Sequence, residues 1–260
     1  VNSGQNLQLT GAAGNGGAGG VTPIVLNTYT GLGNIVLGSG GVGGNLGVNC
    51  DVTLTGTIDG VINNTGRLVV QNGRNVTFDG VIGATRLNLI RIGEVAGGAT
   101  VNFNANVTAT TIDYQNAISA INLADTVIVT GDIDSTLGVG GRLTFLGSGR
   151  VTGKVGQTNQ LTEVNVAVAG STVIFNDTVR TNSMRIGAGG GAATAVLDGA
   201  AISINTDAAT DTEFNNVASV LKLQALRGAA NVYTLENHID PGVNGNGIII
   251  LHADGDDGLG

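Results

Sequence analysis

The chain has 260 residues, of which 45 are Gly, with 42% hydrophobic, 3% aromatic and 12% charged residues, no Trp and one Cys. Eleven Lys and Arg against 19 Asp and Glu give a net charge of -8, which excludes a nucleic-acid partner held on a basic face, because the phosphate backbone would be repelled. The glycines have no period of three, so the chain is not collagen. The Val, Ile and Leu content excludes a disordered linker, one Cys excludes a disulfide framework or Cys-based zinc site, and no apolar run is long enough for a membrane helix.

The length allows one large domain or two small ones. The chain opens on Val1, and no basic stretch precedes an apolar one as in a signal peptide, so it is expected to come from inside a longer precursor. Residues 1–50 are Gly-rich and less regular, with Gly-dense stretches at 11–20 and 38–47 that read as loops or insertions. Two G-x-G-x-x-G matches fall here, Gly14, Gly16, Gly19 and Gly38, Gly40, Gly43. A dinucleotide site needs a helix next, and Gly44-Asn45-Leu46-Gly47 is not one.

Residues 51–205 carry a repeat. Its pattern is apolar-x-apolar-x-small-x-apolar: Val52-x-Leu54-x-Gly56-x-Ile58 returns at Val76–Ile82, Val101–Val107, Val127–Ile133, Gly149–Val155 and Val173–Val179, with a seventh copy at Ala195–Ala201. Its centres Gly56, Gly80, Ala105, Gly131, Gly153 and Asp177 lie 22 to 26 residues apart. A shift of 72 residues also matches Leu89 with Leu161, Val101 with Val173 and Phe103 with Phe175, which reads as three units of 24. Apolar alternation with Val, Ile, Thr and Phe marks strands, and the Gly, Asn and Asp between them mark turns. One unit cannot bury its own apolar face, but stacked units can. The expected fold is therefore all-β, a right-handed parallel β-helix with coils of about 24 residues, its hand following the crossover rule. An antiparallel sandwich is the alternative. Phe78, Phe103 and Phe175 are expected in one slot on one internal face. If all 260 residues coil, about ten coils make a rod of roughly 50 Å. Residues 206–260 keep the period poorly; the whole reads as a fragment of one β-helical domain.

Catalytic candidates are few. The two His, His238 and His252, lie in the irregular C-terminal part, and no G-x-S-x-G elbow is present. Ser39 and Ser148 read as turn residues and Cys50 as a small core residue. Carboxylates are the serious candidates for an acid–base couple or cation site: Asp132 and Asp134 share one side of a strand, and Asp59 follows Ile58 as Asp134 follows Ile133. Solvated turn acids are the plainer reading, and Tyr29, Tyr114 and Tyr233 are too far apart to suggest a sugar platform. Asp254, Asp256 and Asp257 form an acidic tail without the nonapeptide of calcium β-rolls. The N-x-[ST] matches at Asn63, Asn75, Asn106 and Asn176 reflect composition. No catalytic, cofactor or metal residue is assigned.

The stretch Val127–Gly170 resembles the passenger repeats of rickettsial surface cell antigens of the outer membrane protein A and B type. Val129–Asp134 match the phrase V-x-V-T-G-x-I-D-N. Leu143–Phe145, Gly147, Gly149, Val151–Gly153, Gly156, Thr158, Asn159, Leu161 and Val164–Val166 match a second phrase, and Ala167-Val168-Ala169-Gly170 departs from the family's Gly-Ala-Gly. The resemblance is specific over about 45 residues and looser over roughly 75–190. It implies an exported autotransporter passenger without enzyme activity, carried by a C-terminal translocator β-barrel of the same precursor. It also implies adhesion to or invasion of host cells through a host cell-surface protein, and self-association in a surface layer. A carbohydrate-active β-helix, tailspike- or lyase-like, with paired carboxylates is the alternative.

Overall fold

The computed structural model describes residues 7–9, 24–26, 33–39, 42–94, 97–136, 138–199, 203–205, 212–225, 234–236, 239–240 and 247–253. All regular structure among them is strand. Except for the short hairpin in which Ser39 pairs with Val42, the strand pairs are parallel. Among the described residues the chain winds into a β-solenoid of about 8 turns with roughly 22 residues each, as stacked alternating strands require.

Three walls enclose one core. On the first, Ile58 stacks on Ile82, Val107, Val129, Val151, Phe175 and Leu197. On the second, Leu68 stacks on Ile90, Ile112, Ile133, Val155 and Val179. On the third, Leu54 stacks on Phe78, Phe103, Leu123, Phe145, Val166 and Ile186. Every residue in these columns is fully or almost fully buried. Long strands such as Ile82–Ile92 and Val107–Tyr114 bend between the first and second walls, with a register shift at the bend.

The stacking corrects two expectations. First, Phe175 does not share the slot of Phe78 and Phe103: it stands on the first wall between Val151 and Leu197, whereas Phe78 and Phe103 stack on the third with ring centroids 5.5 Å apart. Phe175 instead meets Phe145 edge-on across the core at 5.6 Å. Second, the fourth copy of the repeat does not lie over the third. Val101 stacks on Ile121, and Val107 on Val129, so Val127 is not the counterpart of Val101. The first three copies align with one another, as do the fourth to sixth; the seventh follows through Ala195 and Leu197, but Val179 pairs with Ile204, and Ala201 lies outside the described residues.

The cause lies at the corner between third and first walls. It takes four residues from Phe103 to Val107 but six from Leu123 to Val129. The 72-residue shift is not three coils either, because it joins Phe103 on the third wall to Phe175 on the first. Three coils up from Ile90 the second wall reaches Val155, 65 residues on.

Candidate functional site

The polar residues of the turns are mostly spent on the fold. At corner after corner an Asx oxygen accepts a backbone N–H from one coil further along. Asn34 accepts from Thr57 (3.0 Å), Asp51 from Asn75 (2.8 Å), Asn63 from Arg86 (3.0 Å) and Asn106 from Ile128 (2.9 Å). A corner N–H points out of the ladder and would otherwise lack a partner; a short side-chain acceptor from the coil below supplies it. On the third wall Asn122 donates to Asn102 (2.8 Å) and Asn102 to Asn75 (2.9 Å), an amide ladder climbing the outer face. Of the four N-x-[ST] asparagines, Asn63, Asn75 and Asn106 are thus coil clasps, and Asn176 accepts from Arg150 (3.3 Å) and donates to the Asp198 carbonyl (3.0 Å).

The carboxylates follow the same pattern. Asp59 Oδ1 accepts the Thr85 N–H at 3.1 Å, and Asp132 Oδ1 the Lys154 N–H at 2.8 Å. Asp134 is 7% exposed and accepts N–H groups from Ser135 (2.9 Å), Thr158 (3.0 Å to each oxygen) and Asn159 (3.3 Å). Asp59 and Asp134 are not aligned. Asp59 follows Ile58 on the first wall, while Asp134 follows Ile133 on the second, and three coils separate Ile58 from Val129 on the shared path. That is a rise of about 14 Å, which rules them out as an acid–base couple on one sugar bond, whose carboxyls stand within about 5–9.5 Å.

The carboxylate that does stack on Asp134 is Asp113, one coil below. Sequence reading passed over it, although it lies 22 residues after Arg91, one coil, in the same outward column. Asp113 is 2% exposed and accepts from the Thr136 N–H (3.1 Å), the Thr136 hydroxyl (3.2 Å) and the Gln115 amide. Arg91 Nε stands 3.6 Å away. Burial pushes the Asp113 carboxyl above its ordinary range, outweighing these hydrogen bonds and Arg91.

A raised carboxyl means the folded chain holds a proton that the unfolded chain has lost. Stability contributed by that proton is complete below the unfolded value near 3.8 and is lost as pH rises through the higher folded one. Asp113→Asn is therefore expected to flatten the fall in stability in that interval, read from urea midpoints between pH 3 and pH 7. Equal slopes in variant and parent would contradict it.

The remaining candidates find structural places. Cys50 packs half-buried against the core, and burial raises its thiol. Ser148 accepts the Thr172 N–H (3.1 Å) at a turn where its own N–H donates to Asp125 (2.8 Å). Gly38 and Gly43 pair with each other in the hairpin, and the next element is the strand Asn45–Val48 rather than a helix. Tyr114 is fully buried and donates to the Arg142 carbonyl (2.7 Å), so it offers no sugar platform. His252 sits opposite Gln224 on the strand Ile248–Ala253. Gly14, Gly16, Gly19, Tyr29, Tyr233, His238, Asp254, Asp256 and Asp257 lie outside the described residues. Among the described residues no three His, Cys, Asp or Glu side chains come together as a metal site requires.

Comparison with known proteins finds relatives in Rickettsia. The chain is 38% identical over 174 residues to outer membrane protein A of Rickettsia rickettsii, and 34% identical over 181 residues to outer membrane protein A of Rickettsia conorii; each alignment covers 66% of this chain. These relatives support a rickettsial surface antigen family. This surface antigen spans only 6% and 8% of the length of those two relatives. It is a bacterial surface protein, located at the outer membrane or cell surface. No family model and no solved structure matches it.

Proposed function

We propose that this surface antigen is a stretch of an exported autotransporter passenger, a non-enzymatic rod that serves adhesion to or invasion of host cells. The supporting observation is the use of its polar side chains: Asp59, Asp132, Asp134, Ser148 and the turn asparagines are occupied in tying one coil to the next. A wall built this way is rigid along its length and presents a long lateral surface, which suits binding extended partners. The whole precursor would add the C-terminal translocator β-barrel, and its host partner would be a cell-surface protein. The net charge of -8 favours a basic patch on that partner. Packing of rods side by side in a surface layer is compatible with the same design.

Binding of the purified 260-residue chain to intact mammalian cells tests the reading, with an unrelated β-helical passenger as control. Saturable binding that the unlabelled chain competes away is expected, after which the loops at 38–47 and 187–193 become the first to map. Binding no better than the control would remove adhesion from this stretch and leave stalk or lattice as its work.

A further inference from the structure

The outer face of the second wall carries two arginines on adjacent coils. Arg67 opens the strand Arg67–Val70, where it pairs with Leu89; Arg91, one coil on, pairs with Val69. The two are therefore diagonal neighbours across a floor of Val69, which is 4% exposed, and Leu89. The Nε of each is buried and has no hydrogen-bond partner. Both residues are partly exposed, the Arg91 side chain by 29%. Each side chain thus combines a buried Nε with a part that reaches solvent.

Of the two, only Arg91 has an acid within ion-pair distance among the described residues. Asp113 Oδ2 stands 3.6 Å from Arg91 Nε, beyond hydrogen-bonding range, and already accepts from Thr136 and Gln115. Glu94 is exposed, and no ion pair within 4.0 Å joins it or Asp113 to Arg67 among the described residues. Burial and the neighbouring Arg91 charge disfavour charged Arg67, outweighing the opposite pull of Asp113 and Glu94. Two like charges on adjacent coils over an apolar floor, each with an unpartnered Nε and a partly exposed side chain, are suited to an oxygen anion, which a guanidinium binds in bidentate fashion.

We propose that Arg67 and Arg91 form a binding site for a single oxyanion group, a carboxylate, phosphate or sulfate. The group is single because the chain's net charge of -8 repels a polyanion. It can come from a free ion or from one acidic side chain on a partner, since the fork sees the same oxygens.

The test titrates the 260-residue chain with sodium sulfate, sodium phosphate and sodium acetate, with sodium chloride at matched ionic strength as control, following the arginine Nε–H resonances by NMR. Saturable shifts at two arginines are expected with the oxyanions and not with chloride. Arg67→Gln and Arg91→Gln are each expected to weaken binding about tenfold or more, and Arg142→Gln on the third wall to leave it unchanged. Arg67→Lys keeps the charge without the fork and is expected to fall between. A short acetyl-Asp peptide binding more tightly than acetate would assign the site to a partner's side chain; equal affinities would assign it to free ions. Absence of saturation, or binding indifferent to Arg67→Gln in a variant whose circular dichroism matches the parent, would overturn the proposal. So would a heparin fragment binding far more tightly than sulfate, because the site would then hold a polymer.

Discussion

Phe103→Ala is expected to be among the most destabilising single truncations in the chain. Phe103 is fully buried in the middle of the third wall, between Phe78 below, whose ring it stacks on, and Leu123 above. Removing the ring costs its transfer free energy plus a cavity that walls tied by continuous ladders cannot close, about 3–5 kcal/mol. Stacked repeats couple mainly to their neighbours, so the loss should be felt first in the coils of Phe78 and Leu123 and decay along the rod. Hydrogen exchange resolved by residue, together with urea unfolding, reads both the size and the spread. Phe103→Leu, which nearly conserves volume, is expected to cost less than about 1.5 kcal/mol. A loss below about 1 kcal/mol for Phe103→Ala would mean the ring is not in the core.

Gly131→Ala is expected to be comparably severe for a different reason. Gly131 lies on the strand Val127–Ser135 with φ at 128°, and a Cβ there would stand 1.8 Å from the Ala109 carbonyl oxygen of the coil below. Both the backbone conformation and the stacking distance exclude a side chain. Relief requires the coils to part at that corner, at a cost of roughly 3 kcal/mol or more. Gly73 is the matched control: its φ is 69°, but nothing lies within 4 Å of an added Cβ. Gly73→Ala should show only the left-handed backbone penalty, about 1–2 kcal/mol. Equal losses at the two glycines, measured by the same urea titration, would show that close approach of the coils contributes nothing at Gly131.

Much of the architecture could be read from the residues alone. Apolar alternation in runs such as Val76–Phe78 and Val151–Val155 identified strands, and the recurrence of those runs identified stacking. What alternation does not record is the wall. The pattern apolar-x-apolar is the same on every face of the solenoid, so Val101-x-Phe103 and Val127-x-Val129 look equivalent although they occupy different walls. Only corner length separates them, and corners vary because a turn can gain residues without disturbing the ladders on either side. Wall assignment in turn decided where the acids fall, and so whether Asp59 could meet Asp134.

The clasps were half legible. Asn and Asp clustered where turns were expected, but their acceptor role depends on which N–H the next coil presents, a property of stacking rather than of the turn. The Arg67, Arg91 and Asp113 group left a faint trace, charges about one coil apart on the outward positions of strands. Scattered charges in a chain with 12% charged residues gave no reason to join them until the register placed them together.

The placement of these side chains depends on the register of the coils, which paired cysteines can probe. In a Cys50→Ala background, Thr108→Cys with Thr130→Cys joins partners that the structure places opposite each other on outward positions of adjacent coils. Their Cα atoms should stand about 4.8 Å apart, within the span of a disulfide. Asn102→Cys with Ile128→Cys joins the residues that the repeat pattern alone would pair, but which lie on different walls. Mild oxidation is expected to cross-link the first pair readily and leave the second as free thiols. Cross-linking of the second pair in preference to the first would contradict the three-walled register, and with it the stacking of Asp134 on Asp113.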